Sequence, residues 1–169
     1  MALLDTVRSI KRRDPAAKSL LEVILLYPGV HALFYYRIAR VLYQLKLFLL
    51  ARMISQFARF LTGIEIHPGA KIGKRLFIDH GFGVVIGETS VIGDDVMMYH
   101  GVTLGSKKLV QSKRHPTIED RVVLGAGCKV IGDIVIGHDS MIGANAVISK
   151  SCDPHSILGG VPAQSLKKN

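Results

Sequence analysis

A period of six residues runs through this chain from Ile66 to Ile148. Ile66, Ile72, Ile78 and Val84 fall six apart, and after a step of two Ile86, Ile92, Met98 and Leu104 do the same. After a fourteen-residue interval Ile118, Leu124, Val130, Ile136, Ile142 and Ile148 continue unbroken. Gly follows the aliphatic residue at positions 73, 87, 93, 105, 125, 137 and 143, and small or β-branched residues often sit four places after it. Fixed-period self-similarity constrains a fold more tightly than composition does. Each hexad supplies one short flat strand and one corner, so three hexads close a triangular coil. The aliphatic residues point inward, and stacked coils bury a column that no single coil could bury alone. Glycines and short side chains allow the tight corners. The spacing predicts a parallel β-helix.

The 169 residues are enough for one domain with a sizeable core. An apolar content of 49% and a mean hydropathy of +0.31 are high, as expected if helices or faces between subunits are also buried. The longest uncharged apolar run, Val23 to Tyr36, is broken by Pro28-Gly29 and is too short to span a bilayer. Asp5, Arg8, Lys11, Arg12, Arg13 and Asp14 interrupt any signal-peptide pattern. Cys128 and Cys152 make no disulfide framework, and a reducing cytoplasm fits them. The net charge of +9 favours an anionic partner. No nucleic-acid motif accompanies it, and a phosphorylated cofactor suits it better.

Before the repeat the pattern is helical. Residues 1–13 read as a short basic helix or arm. Asp14-Pro15 reads as a helix start, with Asp as N-cap and Pro in the first turn. Tyr27-Pro28-Gly29 reads as a break, and helices are expected over 30–45 and 48–61, the second ending at Gly63. The chain thus divides into a helical region, 1–62, and a β-helix with a turn-rich tail, 63–169. Between Leu104 and Ile118 the rhythm fails, and residues 106–115 project as a loop, where function concentrates on a rigid scaffold. The last strands are expected to end near Ser149.

Chemistry should come from polar side chains near the irregularities, where His67, His80, His100 and His115 fall. His80 and His100 occupy the same slot of the repeat and should stack. Glu65 lies fifteen residues before His80, close to one coil, so a carboxylate could hold one imidazole nitrogen and leave the other as a base. Blander readings stand beside these: Asp14 as a cap, Asp79 as a corner residue, Arg114 and His115 as loop charges. On periodicity alone the chain is a trimeric hexapeptide-repeat protein of acyltransferase type, with its acceptor open. A metal-dependent carbonic anhydrase on the same coil is disfavoured because its His pair with four intervening residues is absent.

Several blocks are more specific than the repeat. Thr62-Gly63-Ile64-Glu65-Ile66-His67-Pro68-Gly69-Ala70, Ile78-Asp79-His80-Gly81, Val85-Ile86-Gly87-Glu88-Thr89, Gly101-Val102-Thr103-Leu104-Gly105, Arg114-His115-Pro116, Gly125-Ala126-Gly127 and Gly160-Val161-Pro162-Ala163 resemble the serine O-acetyltransferase family. The resemblance implies a left-handed β-helix after helices, a homotrimer or a pair of trimers, and active sites between neighbouring subunits. It implies transfer of acetyl from acetyl-CoA to the hydroxyl of L-serine, giving O-acetylserine for cysteine synthesis, with no metal required. Carried over by position, His80 is the general base and Glu65 its orienting carboxylate. Asp14, Asp79, Arg114 and His115 hold the amino acid, the Arg114 fork suiting its carboxylate. Gly105, Ala126 and Ala144 line the pantetheine groove, and Lys107 and Lys108 face CoA. Another hydroxyl or amino acceptor is the alternative reading. Three features depart from the family: Ser106-Lys107-Lys108 replaces a Gly-rich continuation, His100 stands where many members have Gln, and the chain ends Leu166-Lys167-Lys168-Asn169. That ending leaves docking to O-acetylserine sulfhydrylase unsupported.

Overall fold

The computed structural model of the chain describes residues 2–165. Residues 166–169, on which the docking expectation rests, lie outside the described residues. Four helices come first: α1 (Ala2–Arg13), α2 (Leu20–Leu26), α3 (Pro28–Gln44) and α4 (Phe48–Thr62). Helix α1 buries Val7 and Ile10 against the coil, and Arg13 lies over the Phe77 ring, 5.6 Å from its centroid. The helix expected to start at Asp14-Pro15 starts instead at Leu20. Ser19 and Glu22 form a capping box there, satisfying two orphan donors where Asp14 would satisfy one. Pro28, read as a breaker, opens α3 as its first residue, where its missing N–H costs nothing. Helix α4 ends as expected, with Gly63 in the left-handed region at φ 70°.

The β-helix follows as three sheets of very short strands. Strands β1 (Glu65–Ile66), β4 (Val85–Ile86), β7 (Thr103–Gly105), β10 (Lys129–Ile131) and β13 (Val147–Ile148) form a five-stranded sheet. Strands β2 (Lys71–Ile72), β5 (Val91–Ile92), β8 (Thr117–Ile118) and β11 (Val135–Ile136) form a four-stranded one. Strands β3 (Phe77–Ile78), β6 (Met97–Met98), β9 (Val123–Leu124), β12 (Met141–Ile142), β14 (Ile157–Gly159) and β15 (Gln164–Ser165) form the third. Every pairing is parallel except β14 with β15.

Register turns the period into three ladders. Ile66, Ile86, Leu104, Val130 and Ile148 stack in the first sheet. Ile72, Ile92, Ile118 and Ile136 stack in the second, and Ile78, Met98, Leu124, Ile142 and Leu158 in the third. Almost all are buried, each contributing about 1.5–3 kcal/mol relative to exposure. Val84 is the exception to the count: it is buried but precedes β4 and takes no place in the ladder. The extra two residues therefore lie in the β3–β4 corner, where Ile78 and Ile86 are eight apart while Met98 and Leu104 are six apart. Helix α3 packs on this column through Ala32, Leu33 and Tyr36, whose hydroxyl donates to the Ala70 carbonyl at 2.6 Å. The tail adds β14 and β15 beyond Ser149, folding back so that the Ala163 N–H reaches the Val147 carbonyl.

Candidate active site

The coil has three corners, and two of them flank the five-stranded sheet. The corner entering that sheet carries Asp79 and His80 between β3 and β4, His100 one coil on, then Ala126 and Ala144. The backbone ties this stack together: the Gly127 N–H donates to the His100 carbonyl and the Asn145 N–H to the Ala126 carbonyl, both at 2.8 Å. His80 and His100 meet edge to face with ring centroids 5.9 Å apart, as their shared slot predicts. His80 has φ 58°, and a tight turn runs from the Gly81 N–H to the Asp79 carbonyl. Its side chain is 74% exposed, with Nε2 3.8 Å from Asp79 Oδ2.

Asp14 belongs to the same corner through a residue the sequence reading missed. Its Oδ1 accepts from the Ala16 N–H, and its Oδ2 accepts from the Tyr27 hydroxyl at 2.6 Å. Burial, the hydrogen bond to Asp14 and the charges of Asp14, Glu22 and Asp79 push the Tyr27 phenol up to about 12. Asp14 and Asp79 thus both act on Tyr27, and Asp79 in turn stands beside His80. Nothing in Tyr27-Pro28-Gly29 beyond a helix break signalled this.

Glu65 does not join them. Its carboxylate pairs with Arg59 at 3.1 Å and Arg52 at 3.7 Å, and it forms neither a hydrogen bond nor an ion pair with His80. The carboxylate beside His80 in the chain is that of Asp79.

The corner leaving the five-stranded sheet holds Glu88 and Thr89 after β4 and the loop between β7 and β8. Arg114 donates through Nη2 to Glu88 Oε2 at 2.5 Å, and Tyr43 of α3 donates to Glu88 Oε1 at 2.9 Å. Burial alone would raise the Glu88 carboxyl, but these donors outweigh it and hold it below the usual range. Thr89 Oγ1 accepts from the Arg114 and His115 N–H groups, both at 3.0 Å, and meets His115 Nδ1 at 2.9 Å. The His115 ring covers Gly87 so closely that any side chain there would collide with it. Burial and the Arg114 charge lower the His115 pKa. At the same edge, burial and Arg52 push His67 down to about 4, and its Nδ1 accepts from the Gly69 N–H.

Gly105 and the two lysines also lie at this edge, across the sheet from Ala126 and Ala144. Lys107 Nζ donates to the Ser149 carbonyl at 2.9 Å, and Ser106 closes a turn onto Lys108. A cavity of about 340 Å³ lies beneath the loop, lined by Lys107, Lys108, Lys113, Arg114, Ile131 and Ile134 among others. The chain therefore brings together Asp14, Asp79 and His80 at one edge, and Arg114, His115, Gly105, Lys107 and Lys108 at the other. Glu88, Thr89 and Tyr43 were missed as supports, although Glu88-Thr89 sits at a polar corner directly before a strand.

A triangular coil with polar groups on the edges of one sheet is the architecture of hexapeptide-repeat transferases, and the family described as bacterial transferase hexapeptide (six repeats) matches residues 115–150. Over the whole chain the likeness is narrower. A serine acetyltransferase of Helicobacter pylori is 55% identical over 99% of this chain and 99% of its own length. A serine acetyltransferase from Brucella abortus, solved in complex with coenzyme A, superposes with a TM-score of 0.95 at 35% identity, covering 99% of this chain and 67% of that one. One from Neisseria gonorrhoeae, solved in complex with serine, gives 0.92 at 35% identity, covering 96% and 67%. The chain belongs to the serine acetyltransferase family, and its coil is the left-handed β-helix of that family.

Proposed function

We infer that this chain transfers acetyl from acetyl-CoA to the hydroxyl of L-serine, releasing CoA and O-acetylserine, at a site completed by a second copy. The observation that carries this reading is the split of an amino-acid site over two edges of one sheet. Asp14 and Asp79 suit an ammonium group and stand with His80, while Arg114 and His115 suit a carboxylate and stand across the sheet. A zwitterion needs both halves. Copies related by three-fold symmetry would set one edge of each chain against the other edge of its neighbour. A homotrimer meets that requirement.

In this site His80 takes the serine hydroxyl proton as the oxygen attacks the thioester carbonyl. It returns the proton to the CoA sulfur as the carbon–sulfur bond breaks. Holding base, alcohol and thioester in one geometry supplies much of the acceleration, and the step routes no charge through a metal. The pantetheine arm would run past Ala126 and Ala144 along the His80 edge and past Gly105 of the neighbour, with Lys107 and Lys108 toward the phosphates. Glu65 already pairs with Arg59 and Arg52, so Asp79 competes with it for the orienting role. Residues 2–62 act as a helical cap packed on the transferase coil, whose described part runs over 63–165. Cys128 and Cys152 are free thiols, which suits a cytoplasmic, reducing setting for cysteine synthesis. Among the described residues no helix is long and apolar enough to cross a membrane.

The test is CoA release from acetyl-CoA against a panel of small hydroxy amino acids and amines, combined with light scattering. Serine dependence without added metal, in a trimer, is the expected result. A fully active monomer, or a different preferred acceptor, would overturn the reading.

A further inference from the structure

The third corner, between the four- and six-stranded sheets, is remote from both edges just described. It carries a ladder of charged residues in successive coils: Arg75, Asp95, Arg121, Asp139 and His155, all with left-handed backbone at φ 57–58°. Arg75 grips Asp95 through two nitrogens, and Arg121 grips Asp139 likewise, at 2.7 Å each. At the tail end the alternation of charges stops and two histidines appear. His138 and His155 meet edge to face with ring centroids 5.2 Å apart, and the His155 N–H donates to the His138 carbonyl at 2.9 Å.

We propose that His138 and His155, with Asp139 behind them, form a structural site for a divalent ion of the zinc, nickel and copper class. One imidazole nitrogen from each histidine and one Asp139 oxygen all lie within 4.8 Å of one another, so the two rings stand close enough to share an ion with the carboxylate beside them. His138 Nδ1 is 2.7 Å from Asp139 Oδ2, so the carboxylate fixes that nitrogen as the donor and leaves Nε2 free for an ion. A carboxylate that orients a ligating histidine in this way is the usual support of an imidazole–metal bond. Arg121 occupies both Asp139 oxygens, which argues against Asp139 as a direct ligand and for its role as orienter. The local charge still suits a cation: Glu119 accepts from the His138 N–H at 2.8 Å, and Asp120 adds to the field at Arg121. Two imidazoles select this class of ion over magnesium or calcium, which prefer oxygen ligands.

The consequence is a clip. His138 sits on the coil of β11 and β12, and His155 on the turn leading into β14, the last parallel strand. A terminal coil has a neighbour on one side only and opens first. An ion shared between these two turns would hold the end of the column closed.

The experiment is calorimetric titration of the chelator-treated full chain with zinc chloride, repeated with nickel chloride, alongside thermal melts with and without metal. The variants are His138→Ala, His155→Asn and Asp139→Asn. Asparagine is chosen at 155 because it tolerates the left-handed backbone that alanine would strain. The expected result is one equivalent per chain and a raised melting temperature, both lost in the two histidine variants. Asp139→Asn should bind about 10–100-fold more weakly. Serine acetylation without metal should be unchanged in the histidine variants. Wild-type chain that takes up no zinc or nickel at about 100 Kd for a micromolar site, or histidine variants that bind as well as wild type, would overturn the proposal.

Discussion

The two edges of the five-stranded sheet are built on different terms. At the outgoing edge, Arg114 and His115 are held by Glu88, Thr89 and Tyr43 through a hydrogen-bond network that the chain completes by itself. At the incoming edge His80 is mostly exposed, with a single carboxylate at 3.8 Å. One half is pre-organised and the other stands open. A carboxylate-binding fork gains from being fixed before substrate arrives, since ordering it afterwards costs affinity. On the proposed mechanism, a base that must reach a thioester delivered between subunits would need room to be approached.

The largest effect should follow from removing the base. His80→Ala should lower turnover by about 10²–10⁴-fold with CoA affinity near wild type, read by steady-state kinetics and by CoA titration. His100→Ala should cost much less, and the opposite ranking would move the base to His100. Comparing Glu65→Gln with Asp79→Asn then decides which carboxylate serves His80. Only the variant of the true orienter should be non-additive with His80→Ala.

Arg114→Ala at the pre-organised edge should act on binding instead. Losing a charge-assisted pair worth about 1.5–3 kcal/mol should raise the serine KM about 10–100-fold and leave the acetyl-CoA KM nearly unchanged. Tyr43→Phe removes one hydrogen bond from its support and should raise the serine KM only a few-fold, for about 0.5–1.5 kcal/mol. If Tyr43→Phe matched Arg114→Ala, the hydroxyl would be touching substrate directly.

His67 offers a pH test of the same edge. Its pKa falls from an ordinary 6.5 to about 4 in the folded chain through burial and Arg52. Below 6.5 the unfolded state binds the proton more readily, so stability is full above that pH and declines as pH falls toward 4. The decline should be of order 1–2 kcal/mol once solvent screening is allowed for. Wild type should therefore lose stability relative to His67→Gln as pH falls from 6.5 toward 4, read from melting curves of both, and parallel curves across that range would remove His67 from the account.

The smallest effect is expected at the loop. Lys107→Ala with Lys108→Ala should raise the acetyl-CoA KM a few-fold, less so at high salt. A change in the serine KM instead would reassign the pair to the amino-acid half. Lys107 already spends its ammonium on the Ser149 carbonyl, which is why the effect should be modest.

What was legible in the chain was whatever repeats. The inward ladders follow from a period of six, because side chains at equivalent positions of successive coils meet by construction. The stacking of His80 on His100 follows for the same reason. The cap at Gly63 was legible because a left-handed helix end asks for glycine whatever surrounds it.

Partners across long separations were not legible. Asp14 looked like a helix cap, but Ser19 with Glu22 offers a better one five residues on, which frees Asp14 to accept from Tyr27. Glu65 was counted to His80 along the coil, yet arginines of α4 lie over the sheet and take its carboxylate first. Charged side chains choose partners by proximity in the folded state, and that proximity depends on how helices pack on the coil. The repeat alone determined the column; the packing of α1 to α4 and the β7–β8 loop decided which side chains stand at its edges ready for chemistry.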